Sequence, residues 1–484
     1  MNKRNNLLFV KNNLTLVTFF LLVVVIGASY RPIVDFGLIQ GTNLKLSLAY
    51  GAIVLFGTLS IMTILKNYKI LLTNFFALMF FSYCLFSTLS IFWSTNTPRA
   101  VLMSGLLFVL FWLFISVYTN ASLIVKYKKS LTVALYVSAS AIAFFSWWQV
   151  FGEAFGVSQV YTLLPDPYLS NVFGYARPTG LMLEPQFLGS YLLIPLFISA
   201  FNIIYKSNKI LSPHLFVFIL SLSTIIATLS RGAYIAVVVG FLLLIIITLR
   251  SGKNRQRLIR LMLFIIPVLA FSLGGVVLAA EINTRDETNG EQSFVKTVNH
   301  ASLGVLNIEL PDNEEADSSS AKTIPKLNSS ENVKEEDVVA TIPAGYVKES
   351  TDSRVLMRSE ALKLWSQNPI SVLFGVGIGG FGKEIHEQNS QEYSINSIVN
   401  NQYVEVLTET GLVGFILFIC VLGGALYLSI HYKAWPLVIL LGAFYAQWFF
   451  FSGNINIPHL WLILSVAATS PLLVEKHSKN RRVL

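Results

Sequence analysis

Residues 213–249 read PHLFVFILSLSTIIATLSRGAYIAVVVGFLLLIIITL, a stretch in which Arg231 is the only charge. A helix needs about 17–25 apolar residues to cross the hydrocarbon of a bilayer, so this stretch holds two crossings hinged at Ser230-Arg231-Gly232. The same pattern extends outward in both directions. Apolar runs fall at 14–30, 44–65, 70–91, 100–119, 130–151, 187–205, 213–229, 233–249, 258–279, 411–430, 435–452 and 458–474. Composition points the same way. Only 13% of the 484 residues are charged and 54% are hydrophobic, with a mean hydropathy of +0.63. Average soluble domains carry about 25% charged residues. Half that charge cannot cover a water-facing surface, which excludes a soluble enzyme. The expectation is an all-α polytopic membrane protein with about 12 transmembrane helices.

The net charge of +9 does not imply nucleic acid as a partner, because the basic residues lie in short clusters between apolar runs and report orientation. Cys84 and Cys420 sit inside such runs, so they read as packing residues, not a disulfide or a zinc site. The first run follows Lys3, Arg4 and Lys11 and ends in Gly27-Ala28-Ser29, like a signal peptide. Eleven more runs follow it, and it reads as an uncleaved first helix. If the N-terminus is cytoplasmic, the inner segments hold twenty of the 35 Lys and Arg residues. The short outer segments hold only Arg31, Lys45, Arg99, Arg177 and Arg231. That bias is the positive-inside pattern, and it predicts that both termini are cytoplasmic.

Three regions follow. Residues 1–279 should carry transmembrane helices 1–9, residues 280–400 one large extracytoplasmic loop between helices 9 and 10, and residues 401–484 helices 10–12 with a basic cytoplasmic tail. The loop holds nineteen of the 26 acidic residues. Long loops translocate regardless of charge. Residues 283–345 are polar and poor in aromatics, a composition expected to be mobile. Residues 352–400 should be partly helical: 354–365 have helical spacing with Asp352 as N-cap, and a second helical pattern begins near 397.

Ionisable residues at an apolar boundary are functional candidates by default. Arg177 and Glu184 lie just before a run, Arg231 interrupts one, Arg354 and Arg358 are one helical turn apart, and so are Glu405 and Glu409. On this topology all of them face outward. Guanidinium groups fork onto phosphate oxygens, so several arginines on one side suit a lipid-linked pyrophosphate; Arg177 and Arg231 could equally anchor helix ends at the headgroups. Three roles stand open for Glu184: base, acceptor of a sugar hydroxyl's hydrogen bond, or counter-ion of Arg177. Glu405 and Glu409 are either a structural pair or a catalytic one. His386 can reach the outer face. No His/Cys or acidic spacing suggests a metal. Gly375-Val-Gly377-Ile-Gly379-Gly380 looks like a phosphate loop only superficially; no strand–helix unit surrounds it, and a tight turn is the better reading.

Five ordered stretches resemble the O-antigen ligase/polymerase family of bacterial surface-polysaccharide enzymes. They are Ser90-Ile-Phe-Trp93-Ser94 with Pro98-Arg99, Arg177-Pro-Thr-Gly180 with Glu184-Pro185, and Leu229-Ser230-Arg231-Gly232-Ala233. Residues 358–365 with Asn368-Pro369 and Phe374-Gly375-Val-Gly377 follow, then Asn401-x-Tyr403-x-x-x-Leu407-x-Glu409-x-Gly411. The resemblance implies a GT-C-like glycosyltransferase of the bacterial inner membrane. It would use an undecaprenyl-pyrophosphate-linked glycan as donor, without metal or cofactor. A flippase and a chain-length regulator are its candidate partners, beside the lipid bilayer. Carried over by position, Arg177, Arg231 and Arg358 would hold the leaving pyrophosphate. Ligases of the family usually have His-Asn where this chain has Asn400-Asn401, and that His is their proposed base. Asn cannot take a proton at neutral pH, so Glu184, Glu405 or His386 would have to substitute. Polymerisation of lipid-linked repeat units into O-antigen, capsule or exopolysaccharide is therefore expected ahead of ligation to lipid A–core. A transporter fits less well, since transporters place charges near the midplane and often show related halves.

Overall fold

The computed structural model describes residues 3–30, 33–39, 42–170, 175–206, 212–252, 254–283, 346–390, 393–453 and 457–471. The part of the loop expected to be mobile, from 284 to 345, lies outside the described residues. Each of the twelve apolar runs overlaps at least one helix among the described residues. Among the described residues, eight helices are long and apolar enough to cross a membrane, and four more, Asn13–Val25, Pro213–Ala227, Trp435–Phe450 and Pro458–Ala468, are apolar but shorter.

Two departures have local causes. Ile33–Ile39 and Thr42–Ser47 form an antiparallel hairpin, so the helical bundle carries a small two-stranded sheet. The run at 70–91 is broken, because the side chain of Asn74 accepts from the Ala77 N–H at 2.9 Å and starts a new helix, Phe75–Leu89. An Asn at that point satisfies a helix-start donor that the apolar residues around it cannot.

Pro185–Tyr205 is the central helix: 83% of its apolar window is buried, against 22% for the peripheral Arg255–Asn283. It packs on Pro213–Ala227, Arg231–Ser251 and Trp435–Gln447. A helix apolar on all sides belongs in the middle of a bundle, and this sets its N-terminus, beginning at Pro185, among neighbouring helix ends.

The distal part of the loop is docked onto the bundle. Tyr346–Trp365 lies against Gln402–His431. Ala361, Leu364, Phe381, Ile385 and Val399 close a small core of their own. The first of these helices begins at Tyr346, so Asp352 lies inside it and is not its N-cap. Asn368 instead caps Pro369–Phe374 with a reciprocal capping box.

Candidate functional site

The glycine-rich stretch makes a crossing that only glycines permit. The helix Gln402–His431 is interrupted at Gly411, whose φ is 62°. A Cβ there would sit 2.4 Å from the Leu373 carbonyl, and one on Gly375 2.4 Å from the Glu409 backbone. The two backbones touch, joined by hydrogen bonds from Val376 N–H to Thr408 O (3.0 Å) and from Gly377 N–H to Glu409 O (2.9 Å). On its other side the stretch meets the Ser90–Ser94 turn. Ile378 N–H donates to Ser90 Oγ at 2.9 Å, and Ser94 Oγ donates to Ile378 O at 3.1 Å. Three of the five signature stretches are thus one clamp, which holds Arg99, Glu405 and Glu409 around a common space.

The Arg177-Pro-Thr-Gly180 segment is held by Gln149, a fully buried side chain on the helix Ala121–Ala154. Its Oε1 accepts from the N–H groups of Thr179 (3.0 Å) and Gly180 (2.7 Å), and its Nε2 donates to Thr162 O and Gly180 O. Arg177 then reaches the end of the helix Pro213–Ala227. Its Nε donates to Thr228 O at 3.1 Å and its Nη2 to Leu229 O at 3.4 Å, while Tyr175 and Tyr234 bond the carbonyls of Ala227 and Ile226. The last carbonyls of a helix have no partner within it and carry its negative pole, and a guanidinium suits both conditions. Arg177 therefore shapes the turn that presents Ser230-Arg231-Gly232. Ser230 caps the following helix, Arg231–Ser251, through the Ala233 N–H.

Two adjoining cavities open among these ends. The first, about 220 Å³, is lined by Arg177, Arg231 and Arg354, with Glu184, Tyr168 and Asn400. The second, about 240 Å³, is lined by Glu405, Glu409, Arg99, Asn396 and Ser452. Glu184, Gln186 and Ile398 line both and form the wall between them. Gln186 Nε2 donates to the Glu184 carboxylate in a close hydrogen bond. Burial raises the Glu184 pKa above its ordinary 4.5, against the opposing pull of that hydrogen bond, Arg177 and Arg354.

The other candidates take other positions. Arg358, one turn from Arg354, donates through Nη2 to the carbonyls of Phe449 (2.9 Å) and Asn400 (3.4 Å) and stands over the Phe450 ring. It is Arg354 that lines the basic cavity. Asn400 lines it too, in a left-handed conformation with φ 58°. Asn401 caps Gln402–His431, its Oδ1 accepting from the N–H groups of Tyr403 and Val404 at 3.1 Å, and Tyr403 donates to Tyr445 O at 2.8 Å. Glu405 is hydrogen-bonded by Ser452 and by the backbone of Val399 and Gly453, and Glu409 by the backbone of Gly379 and Phe381. His386 lines neither cavity; its Nδ1 is 2.6 Å from Tyr393 O. Among the described residues no group of His, Cys, Asp and Glu is placed to hold a metal ion.

Gln149, Tyr168, Gln186, Asn396 and Ser452 carried no signal in the sequence, being uncharged residues in or beside connecting segments. Arg99 was visible as an outer charge next to a signature stretch.

Comparison with curated proteins gave no match. Residues 216–419 match the family described as O-Antigen ligase. That span runs from the helix before Ser230-Arg231-Gly232 to beyond the Gly411 crossing, and so contains Arg231, Arg354 and both carboxylates of the second cavity. Residues 216–419 of this apolar, helical chain are thus similar to the O-antigen ligase family.

Proposed function

We propose that the chain is an inner-membrane glycosyltransferase that moves a glycan from a polyprenyl pyrophosphate onto a sugar hydroxyl, polymerising lipid-linked repeat units. The observation that carries this reading is the pair of cavities, one with three arginines and one rich in carboxylates, sharing Glu184 as their wall. Arg231 and Arg354 bind the pyrophosphate and Arg177 fixes the turn beside it. The acceptor oxygen attacks the anomeric carbon, and the carbon–oxygen bond to the pyrophosphate breaks. The bonding pair leaves with the pyrophosphate, whose growing charge the arginines stabilise. Glu184 takes the proton of the attacking hydroxyl. Its raised pKa suits that work better than an ordinary carboxylate's would. Asn400 stands on the basic cavity without a titratable group, so it orients and does not accept the proton.

Ligation to another acceptor is the second reading, favoured by the similarity of residues 216–419 to the O-antigen ligase family. A strain lacking this chain separates the two. Loss of polymerisation leaves single lipid-linked repeat units, whereas loss of ligation leaves long lipid-linked polymer. Glu184→Gln should reproduce the single-unit pattern. Wild-type polymer from a Glu184→Gln chain would remove Glu184 from the chemistry.

A further inference from the structure

The second cavity opens among the helix ends, and its lining among the described residues contains three carboxylates, Glu184, Glu405 and Glu409, and one cation, Arg99. Arg99 interacts electrostatically with both Glu405 and Glu409. Its Nη1 is shut off from solvent and makes no hydrogen bond among the described residues. A donor so placed is costly to leave unpaired and is satisfied by a group entering the cavity. The remaining polar groups, Gln186, Asn396 and Ser452, are those that bind hydroxyls.

We infer that this cavity receives the acceptor's sugar and selects for an uncharged or amino-bearing ring against an acidic one. The inference rests on the transfer reading above and adds to it the class of acceptor. A hydroxyl-rich ring supplies an acceptor oxygen for Arg99 Nη1 and donors for the carboxylates. A uronate or a phosphorylated sugar would place its charge beside Glu184, which acts as an anion when it takes the proton, with one guanidinium, Arg99, to offset both. Like-charge juxtaposition of this kind discriminates by repulsion. The ring would lie on one side of Glu184, with the pyrophosphate on the other.

Linkage analysis of the polysaccharide made by cells that depend on this chain tests the inference directly. The sugar whose hydroxyl carries the bond between repeat units should be neutral or amino-bearing. A uronate or another acidic sugar in that place overturns the inference. A second measurement uses the full-length chain in lipid vesicles. With Glu405→Gln, polymer formation should fall at least about tenfold while binding of undecaprenyl pyrophosphate stays within about twofold, and Glu405→Asp should recover most of the activity. Undiminished polymer from Glu405→Gln would overturn the acceptor assignment alone. Failure of the wild-type chain to bind undecaprenyl pyrophosphate would instead remove the transfer reading beneath it.

Discussion

At Glu184 two opposing influences meet, and their balance could not be read from the sequence. Arg177, seven residues away, and Arg354, from the distal loop, favour its anion; burial between the two cavities disfavours it, and burial prevails. A base acts as its anion, so activity should be lost as pH falls through the raised pKa. The acidic limb of the rate profile should therefore lie above the ordinary carboxylate value of 4.5. The folded chain holds this proton where the unfolded chain has released it, so stability contributed here declines as pH rises through the same window. A rate profile with its acidic limb at or below 4.5 would contradict the assignment. The charged members of the site, Arg177, Arg231, Arg354, Glu405 and Glu409, were legible because charge is rare at an apolar boundary. Gln149 was not, since an amide inside an apolar helix shows its purpose only when Thr179 and Gly180 are seen beside it.

The elements were legible to the extent that hydrophobic period alone defines them. The run that contains Ser230-Arg231-Gly232 divides into two helices at that point, with Ser230 as the cap. The hairpin was missed because its alternation lies directly beside an apolar run, Leu48–Lys66, and was absorbed into it. The crossing of Gly375 with Gly411 was also hidden, because it joins segments that are distant in sequence and meets no periodic pattern. It makes a specific demand. Gly411→Ala places a Cβ against the Leu373 carbonyl in a left-handed conformation, and it should destabilise the chain by more than about 1 kcal/mol. Gly423→Ala is the control, on the same helix with nothing within 4 Å of its Cβ. Thermal unfolding should drop for the first and hold or rise for the second. Equal midpoints would show that the crossing does not constrain the fold.

At the scale of the whole molecule, Arg99, Arg177 and Arg231, expected in short outer segments, line the two cavities together with Arg354, Glu184, Glu405 and Glu409. The topology is tested by single cysteines in a background lacking Cys84 and Cys420. Ser366→Cys should react with an impermeant reagent added outside intact cells, and Asn254→Cys only after the membrane is opened. The reverse pattern would place both cavities on the cytoplasmic side, away from any extracytoplasmic acceptor. The central claim is that the bond to a lipid pyrophosphate is broken as a glycosidic bond is made. The most direct measurement follows both products in vesicles that hold the purified full-length chain and a lipid-linked repeat unit. One polyprenyl pyrophosphate should be released for each repeat unit added to the glycan, and Arg231→Ala should cut both together by about 10²–10³-fold. Lipid-linked units that move across the bilayer intact, with no pyrophosphate released, would contradict it.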